Sequence, residues 1–529
     1  MTKGRVMRKF PQMGIKNLKY CSVFYEGQHD DARTNLAIAQ TASIEGALMF
    51  NYMEIISISR DSEGEVNGVV VRDKIDQQVY KVNSKVLLCC GGPFADEIQR
   101  MKLSGLNSNA KESTLSDVSN TDASTNSVDM NTVNTDINTD TSITSAVPVP
   151  VPVPSNNKPQ HIIDGAAGVH VVLPSYYAPK NIGLVDMSTS DGRFLFFLPW
   201  EGSVLVGTTD RKLDIIDMRP SPTENEIKWL LKEASKYLSP NLLIRRQDVL
   251  SAWCGIRPLV NNEFLLQSNT SNNSEDSHSK SKAKVSRDHV IHVDPQDTRI
   301  VYVLGGKWTT YREMAEDAVD KAISLGHIED SELTRKSQTL ERHLIGYEGF
   351  TTTLAIQLTQ EYHIPSEVAT SLVHRYGGRS RDILEIAIDM LEHVSNGSNG
   401  STIGSNGSNG SNGNGHMNDH RLELVREGGA GVGRKLCRRI VPQLPYIEAE
   451  IVYAIRFEWA IHAEDIIARR TRIAYLNKAE TMLCLNRIIE LMALELDWNL
   501  DRQGMEYDQC VEFLRTFGGP VPIYNDLTQ

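Results

Sequence analysis

Short stretches in which apolar and polar side chains alternate dominate the chain up to about residue 305. A period of two is typical of strands that bury one face, and short unbroken apolar runs are typical of strands buried on both faces. This part of the chain is therefore predicted to be rich in strands, with helices at Arg33–Glu45 and from Ser221 onward. The predicted strands are Tyr20–Tyr25, Asn51–Ser59, Val66–Arg72, Lys85–Cys90, His170–Leu173, Arg193–Leu198, Ser203–Val206 and Ile300–Leu304.

From about residue 340 the apolar positions recur three and four residues apart, which is the spacing of one face of a helix. Ile451, Val452 and Ile455 share such a face. A longer face is formed by Met482, Leu485, Ile488, Ile489 and Met492. The change of period predicts a separate, helical C-terminal domain.

Three tracts rich in Asn, Ser, Gly and Thr interrupt these patterns, at 106–160, 268–287 and 395–420. They hold too few apolar side chains to offset the entropy lost on ordering, so we expect disordered insertions. The tracts divide the chain into a predicted first domain at 1–105, a second at 161–330 and a helical domain at 340–529.

The segment Arg299–Gly326 combines an apolar run, the pair Gly305-Gly306, Lys307 and an amphipathic helix. Thr310 and Glu313 have the spacing of a capping box, and Gly326 is placed to end the helix. A strand, a Gly-Gly turn and a helix N-terminus can present backbone N–H groups to an electron-rich ligand. The alternative is an ordinary strand-to-helix connection, in which glycines occur only because the turn requires positive φ angles.

Composition narrows the possible functions. The chain has 67 acidic and 55 basic residues, a net charge of −12, so a nucleic-acid partner is not expected. Its seven cysteines show no C-x-x-C or Cys/His spacing, so we expect reduced thiols and no structural metal. No apolar run approaches the ~18 residues that suggest a transmembrane helix.

Several long stretches resemble one enzyme family. They are GGKWTTYREMAED from Gly305, YEGQHDDARTNLAIAQTA from Tyr25, GVHVVLPSYY from Gly168, DGRFLFFLPWEGSVLVGTTD from Asp191, VLSAWCGIRPLV from Val249 and PYIEAEIVYAIRFEWAIHAEDIIARRTRIAYL from Pro445. Taken in the order in which they stand along the chain, they resemble the FAD-dependent glycerol-3-phosphate dehydrogenases of the mitochondrial type. The resemblance implies an α/β fold, made of an FAD-binding Rossmann-like domain with an antiparallel substrate sheet, plus an all-α C-terminal domain.

The resemblance also implies roles for individual residues. Arg257 and Lys307 would bind the substrate phosphate, and His170 would be the base that accepts the proton of the C2 hydroxyl. His29 and Arg33 are second candidates for substrate contact. FAD would be contacted by Ile55, Gly91, Gly92, Gly305, Gly306, Lys307 and Thr309. Without the resemblance, a lone strand histidine would more often be structural, and Thr208-Thr209-Asp210 is interpreted as turn chemistry.

The family's first βαβ unit, with the G-x-G-x-x-G that seats the FAD pyrophosphate, has no counterpart in these 529 residues. The expectation is therefore a chain that begins partway through the family's first domain, in which case its basic first 25 residues are not a transit peptide. Expressed alone, it is expected to purify without flavin colour and without dehydrogenase activity. Three functions stay open: a quinone-linked dehydrogenase, an oxygen-using oxidase, and a non-catalytic homologue.

The resemblance further implies glycerol 3-phosphate as substrate, membrane quinone as electron acceptor, peripheral association with the inner mitochondrial membrane and, as one option, a homodimer. No EF-hand loop follows the helical domain, so calcium regulation is not expected. The charged residues of the helical domain are interpreted as partners in ion pairs between domains rather than as catalysts. They are Arg456, Glu458, Asp465, Arg469, Arg470 and Arg472.

Overall fold

The computed structural model describes residues 1–15, 18–102, 161–187, 189–190, 192–270, 288–328, 336–395 and 429–519. The chain forms two compact units. The first unit comprises Met1–Asn51, Gly165–Arg257 and Gln338–Gln529, and the second comprises Tyr52–Asp164 and Pro258–Ser337. Each unit combines segments from more than one of the predicted domains. The predicted domain ranges stay predictions. The predicted insertion at 106–160 lies outside the described residues, as do 271–287 and 396–420.

The second unit contains two small sheets. Strands β1 (Met53–Arg60), β2 (Val66–Asp73) and β3 (Val79–Asn83) form an antiparallel sheet. In the other sheet β12 (Ile300–Gly305) lies between β11 (His289–Val293), which is antiparallel to it, and β4 (Leu87–Cys89), which is parallel. Their core includes Ile58, Val66, Ile162, Val260, Ile300, Tyr302 and Leu304. The unit's helices are residues 95–102, Asn262–Thr270 and Tyr311–Ser324.

The first unit contains a larger sheet, in the strand order β10-β5-β8-β7-β6 with β9 beside β5. Its strands are β5 (Ile163–Pro174), β6 (Leu184–Asp186), β7 (Leu195–Trp200), β8 (Ser203–Gly207), β9 (Arg211–Lys212) and β10 (Ser251–Val260). Val169, Val171 and Leu173 of β5 are buried in one core with residues of the helix Glu224–Ser235. Side chains alternate across a strand, so Gly168 and His170 belong to the opposite face of β5.

The described residues beyond 350 are helical, which confirms the predicted all-α C-terminal region. Two clusters of buried side chains form its core, one around Leu358, Leu372 and Tyr453 and the other around Ile467, Leu485 and Met492. The helices are Leu354–Tyr362, Ser366–Tyr376, Ser380–Ser395, residues 429–436, Ala449–Phe457, the π-helix Asp465–Arg470, Ile473–Leu476, Lys478–Leu496 and Leu500–Arg515. Earlier in the first unit lie the helices Lys3–Lys9 and Asp31–Ile44.

Several local predictions are wrong. Tyr20–Tyr25 is not a strand; Tyr20 makes only an isolated bridge to Thr2. The N-cap predicted at Ser221 lies two residues later, at Thr223, and Glu226 rather than Glu224 completes the capping box. Thr310 does not cap its helix, because its hydroxyl donates to the carbonyl of Lys307 at 3.1 Å.

Strand β3 is missing from the sequence prediction because its Val79, Tyr80 and Val82 do not alternate with polar residues, and all five of its residues are exposed. Residues 268–270, predicted as part of an insertion, end the helix Asn262–Thr270. Among the described residues no helix has the length and apolar character needed to cross a membrane.

Candidate functional site

The imidazole of His170 lies between a strand backbone and an indole. His170 is opposite Gly207 of β8, where an added Cβ would lie 2.3 Å from the His170 Cδ2 atom. On its other flank the ring of Trp253, from β10, stacks on His170 with ring centroids 5.5 Å apart and planes inclined by 16°. The glycine in β8 therefore makes room for the histidine, and the ring keeps a small exposed fraction.

His170 is neutral at pH 7. Burial lowers its pKa, and the positive charge of Arg257 lowers it further, to about 4. A neutral imidazole can accept a proton, which a general base requires. An anion bound at Arg257 would offset that positive charge and raise the pKa of His170 toward neutral.

The loop after β8 holds the guanidinium of Arg257. Nη2 donates to the Thr208 hydroxyl at 3.2 Å, and Nη1 donates to the Thr209 carbonyl and to a carboxylate oxygen of Asp210, both at 3.3 Å. The Arg257 side chain is 38% exposed, so it can still meet a ligand. An added Cβ at Gly168 would lie 2.8 Å from the Thr208 hydroxyl and 3.0 Å from Arg257, so this glycine too leaves necessary space.

The interpretation of Thr208-Thr209-Asp210 as turn chemistry does not include their hydrogen bonds to the Arg257 guanidinium. The sequence held a usable signal, since glycine within a strand often marks close approach of another group. Gly168 and Gly207 are both strand glycines of this kind. Trp253 was also missed, because nothing near it in the sequence indicates that it contacts His170.

The predicted cofactor glycines meet at one sheet edge in the second unit. Strands β4 and β12 are parallel neighbours. The pair Gly91-Gly92 follows β4 after Cys90, and Gly305-Gly306 stands at the end of β12. Ligands of α/β sheets bind outside the carboxyl ends of parallel strands. Gly305 and Gly306 have φ of +67° and +78°, a conformation that favours glycine.

Lys307 and Thr309 follow this edge, and both are exposed. Among the described residues, no carboxylate forms an ion pair with Lys307, so its ammonium can meet an anionic ligand. Ile55 lies in β1, in the other sheet of the second unit, and is 42% exposed. The predicted roles of Lys307, Thr309 and Ile55 stay predictions.

The predicted substrate contact of Arg33 needs correction. Its guanidinium is buried and donates to both carboxylate oxygens of Glu458, at 2.7 and 2.5 Å. An arginine paired in this way has little capacity left for a phosphate. His29 is exposed, with Nδ1 3.0 Å from the Thr34 hydroxyl, and its role stays a prediction.

Of the six charged residues expected to form ion pairs between the predicted domains, Glu458 and Arg472 do so. The ion pairs of Arg456, Asp465, Arg469 and Arg470 lie within the helical region. Arg33 belongs to the predicted first domain and Glu458 to the helical one. Arg472, also in the helical region, is 3.0 Å from carboxylate oxygens of both Asp30 and Asp31. Within the parts of the chain that the structure describes, no cluster of three or more His, Cys, Asp or Glu side chains is arranged to hold a metal ion.

Comparison with known proteins finds two family models and several relatives along the chain. Residues 150–316 match the family model described as FAD dependent oxidoreductase, and 337–503 match the C-terminal domain of alpha-glycerophosphate oxidase. The glycerol-3-phosphate dehydrogenase of Bacillus halodurans, solved with FAD, has the same fold, with a TM-score of 0.64 and 21% identity over 98% of this chain and 79% of that one.

Curated relatives named mitochondrial glycerol-3-phosphate dehydrogenase extend along almost the whole chain. The rat protein is 34% identical over 97% of this chain, and the chain spans only 56% of the rat protein's length. The Saccharomyces cerevisiae protein is 30% identical, with 98% of this chain and 70% of the yeast protein covered. This chain therefore belongs to the family of FAD-dependent glycerol-3-phosphate dehydrogenases.

Proposed function

We propose that this chain serves the FAD-dependent oxidation of sn-glycerol 3-phosphate to dihydroxyacetone phosphate. The observation that carries the proposal is a neutral, partly exposed histidine beside an exposed arginine on one sheet face. The oxidation needs both groups, a cation for the substrate phosphate and a base for the C2 hydroxyl.

Arg257 binds the phosphate through its planar guanidinium, which matches two phosphate oxygens at once. Its present anionic partner, Asp210, is 55% exposed and lies at the long distance of 3.3 Å, so a dianionic phosphate can displace it. Thr208 continues to orient the guanidinium from its Nη2 side.

His170 accepts the proton of the C2 hydroxyl on a ring nitrogen. Binding of phosphate at Arg257 offsets the smaller of the two causes that lower the pKa of His170, the positive charge of Arg257, and so raises the basicity of His170. The family's FAD, when bound, supplies the acceptor for the hydride that leaves C2. The proton and the hydride together convert the secondary alcohol to a ketone.

The glycine turns of the second unit fit a dinucleotide cofactor. Gly92 has φ of +53° and no heavy atom within 4 Å of an added Cβ, so its backbone is open to a ligand. Gly305-Gly306 provides a second such turn at the same carboxyl edge of β4 and β12. Backbone N–H groups there, with Lys307 and Thr309, are the proposed cofactor contacts of this chain.

The names of the relatives support a mitochondrial location, and we propose peripheral attachment to the inner membrane with quinone as electron acceptor. The test uses the chain joined to the first βαβ unit of a relative and reconstituted with FAD, which is the flavin-loaded enzyme of the experiments below, under anaerobic conditions. Glycerol 3-phosphate should bleach the flavin absorbance, and a soluble quinone should restore it faster than oxygen does. No bleaching by glycerol 3-phosphate would overturn the function, whereas faster recovery with oxygen would assign an oxidase.

A further inference from the structure

The orientation of the His170 imidazole is set by aromatic stacking. A functional histidine is usually oriented by a hydrogen bond to the ring nitrogen that does not take part in the chemistry. None of the residues that the structure describes forms a hydrogen bond to either ring nitrogen of His170. The ring is instead confined by the Gly207 backbone and by the stacked indole of Trp253.

Trp253 is in turn fixed by aromatic rings from two other places in the first unit. The Tyr475 ring, in the helix Ile473–Leu476, meets the indole edge-on, with centroids 5.3 Å apart and an interplanar angle of 86°. The Trp200 ring, at the end of β7, lies 5.5 Å away at 38°. All three rings pack against the core of the helical region. Edge-to-face and offset-stacked pairs are the arrangements that aromatic rings favour.

We propose that Trp253 is a positioning residue for His170, and that Tyr475 extends this control to the helical region. Trp253 holds the imidazole plane so that a ring nitrogen faces the C2 hydroxyl of the bound substrate. This inference rests on the proposed function for its consequence in catalysis. The geometric part, that the indole fixes the ring, stands without it.

In the described parts of the chain, neither ring nitrogen of His170 is occupied by a hydrogen-bond partner. A hydrogen-bonded partner would occupy one nitrogen, whereas a stacked ring occupies neither. Stacking therefore orients the base and allows either nitrogen to take the proton. Through Tyr475 and Trp253, the helical region determines the orientation of the His170 ring.

The test compares Trp253→Leu, which removes the stacked ring, with Trp253→Phe, which keeps a smaller one. In the flavin-loaded enzyme we expect Trp253→Leu to lower kcat by roughly 10–100-fold, since small displacements of a reacting group are costly. KM for glycerol 3-phosphate should change less than threefold, because Arg257 is untouched. Trp253→Phe should recover most of the loss.

A matched control is Trp229→Phe, since Trp229 is also partly buried in the first unit but contacts Arg193 rather than His170. It should leave kcat unchanged. Tyr475→Leu provides a second variant if Trp253→Leu does not fold. It should lower kcat in the same direction by a smaller factor, and Tyr475→Phe, which keeps the ring edge, should have no effect.

A second measurement needs no catalysis. In the 529-residue chain with isotope-labelled histidine, the signal of His170 is assigned by its loss in His170→Asn. Trp253→Leu should shift that signal by removing the ring current and should change its titration, whereas Trp229→Phe should not. An unmoved signal would overturn the positioning role. Shifted signals in an enzyme that does not oxidise glycerol 3-phosphate would instead overturn the proposed function and leave the positioning role standing.

Discussion

Arg33 and Glu458, 425 residues apart in the chain, form a two-pronged ion pair in the interior of the first unit. Glu458 has no exposed surface, and the Arg33 guanidinium also lies 4.2 Å above the ring of Tyr376. Burial disfavours the charge on Arg33, but the Glu458 carboxylate more than offsets this, so the pKa of Arg33 is raised. The pair therefore ties the helix Asp31–Ile44 to the helical region.

Breaking this pair should destabilise the protein strongly. Glu458→Gln leaves the buried guanidinium without its counter-charge, so we expect a loss of ~3–5 kcal/mol in the free energy of unfolding. Denaturant unfolding of the 529-residue chain measures it. Glu45→Gln is the control, because the Arg342–Glu45 pair is about half exposed and should be worth at most ~1 kcal/mol.

The double variant Arg33→Met/Glu458→Leu sharpens this prediction. It removes both charges together, so it should recover a large part of the stability lost in Glu458→Gln. If Glu458→Gln lowers the free energy of unfolding no more than Glu45→Gln does, the Arg33–Glu458 pair does not hold the helix Asp31–Ile44 to the helical region.

Exchanging His170 for Asn should affect catalysis more than binding. Asn cannot accept the C2 proton, so in the flavin-loaded enzyme we expect kcat to fall by ~10²–10⁴ with little change in KM. Steady-state kinetics with glycerol 3-phosphate checks this. A loss below threefold would give His170 a structural role only.

The lowered pKa of His170 predicts a pH dependence of stability. Its pKa is about 4 in the folded chain against 6.5 for an ordinary histidine, so between these values the unfolded chain binds more protons. Stability should therefore fall as the pH decreases through this window, by up to ~3 kcal/mol from this residue. Denaturant unfolding between pH 7 and pH 4 should show a shallower decline for His170→Asn. Equal declines would mean that His170 titrates normally.

Gly306 tests the cofactor edge of the second unit. Its φ is +78°, and an added Cβ would lie 2.6 Å from the Met314 sulfur; Gly326 has a similar φ of +74° but open space around it. In both alanine variants the positive φ costs ~1–2 kcal/mol of backbone strain. Only in Gly306→Ala does the added methyl group also displace the turn. We expect weaker FAD binding in Gly306→Ala alone, measured by flavin release on dilution. Equal FAD affinity in the two variants would remove this turn from the cofactor site.

Much of the fold was predictable because it follows local periodicity. The alternation at β1, β2, β7 and β8 and the helical spacing beyond residue 340 are both properties of neighbouring residues. Strand β3 was not predictable, since it is held by hydrogen bonds to β2 and buries no apolar face. Tyr20–Tyr25 has the composition of a strand but lacks a neighbouring strand to complete one.

The sequence indicated single candidate residues for the site and none of the contacts between them. His170 and Arg257 are candidates because of the family resemblance. The hydrogen bonds from Arg257 to Thr208 and Asp210 depend on the pairing of separate strands, which no local pattern shows. Arg33 shows the converse error. The sequence around it resembles a substrate-contacting loop, but its partner Glu458 lies in a part of the chain that no local pattern connects to it.

The central claim, that the arginine of β10 is the phosphate site, is tested most directly by calorimetric titration of the 529-residue chain with glycerol 3-phosphate. Arg257→Ala removes a charge-assisted contact worth ~1.5–3 kcal/mol, so the Kd should rise by about 10–150-fold. Arg246→Ala is the matched control, since its pair with Glu224 has almost the same exposure, and it should stay within twofold of the unaltered chain. Equal affinity of the Arg257→Ala variant and the unaltered chain, or no binding by the unaltered chain, would contradict the account.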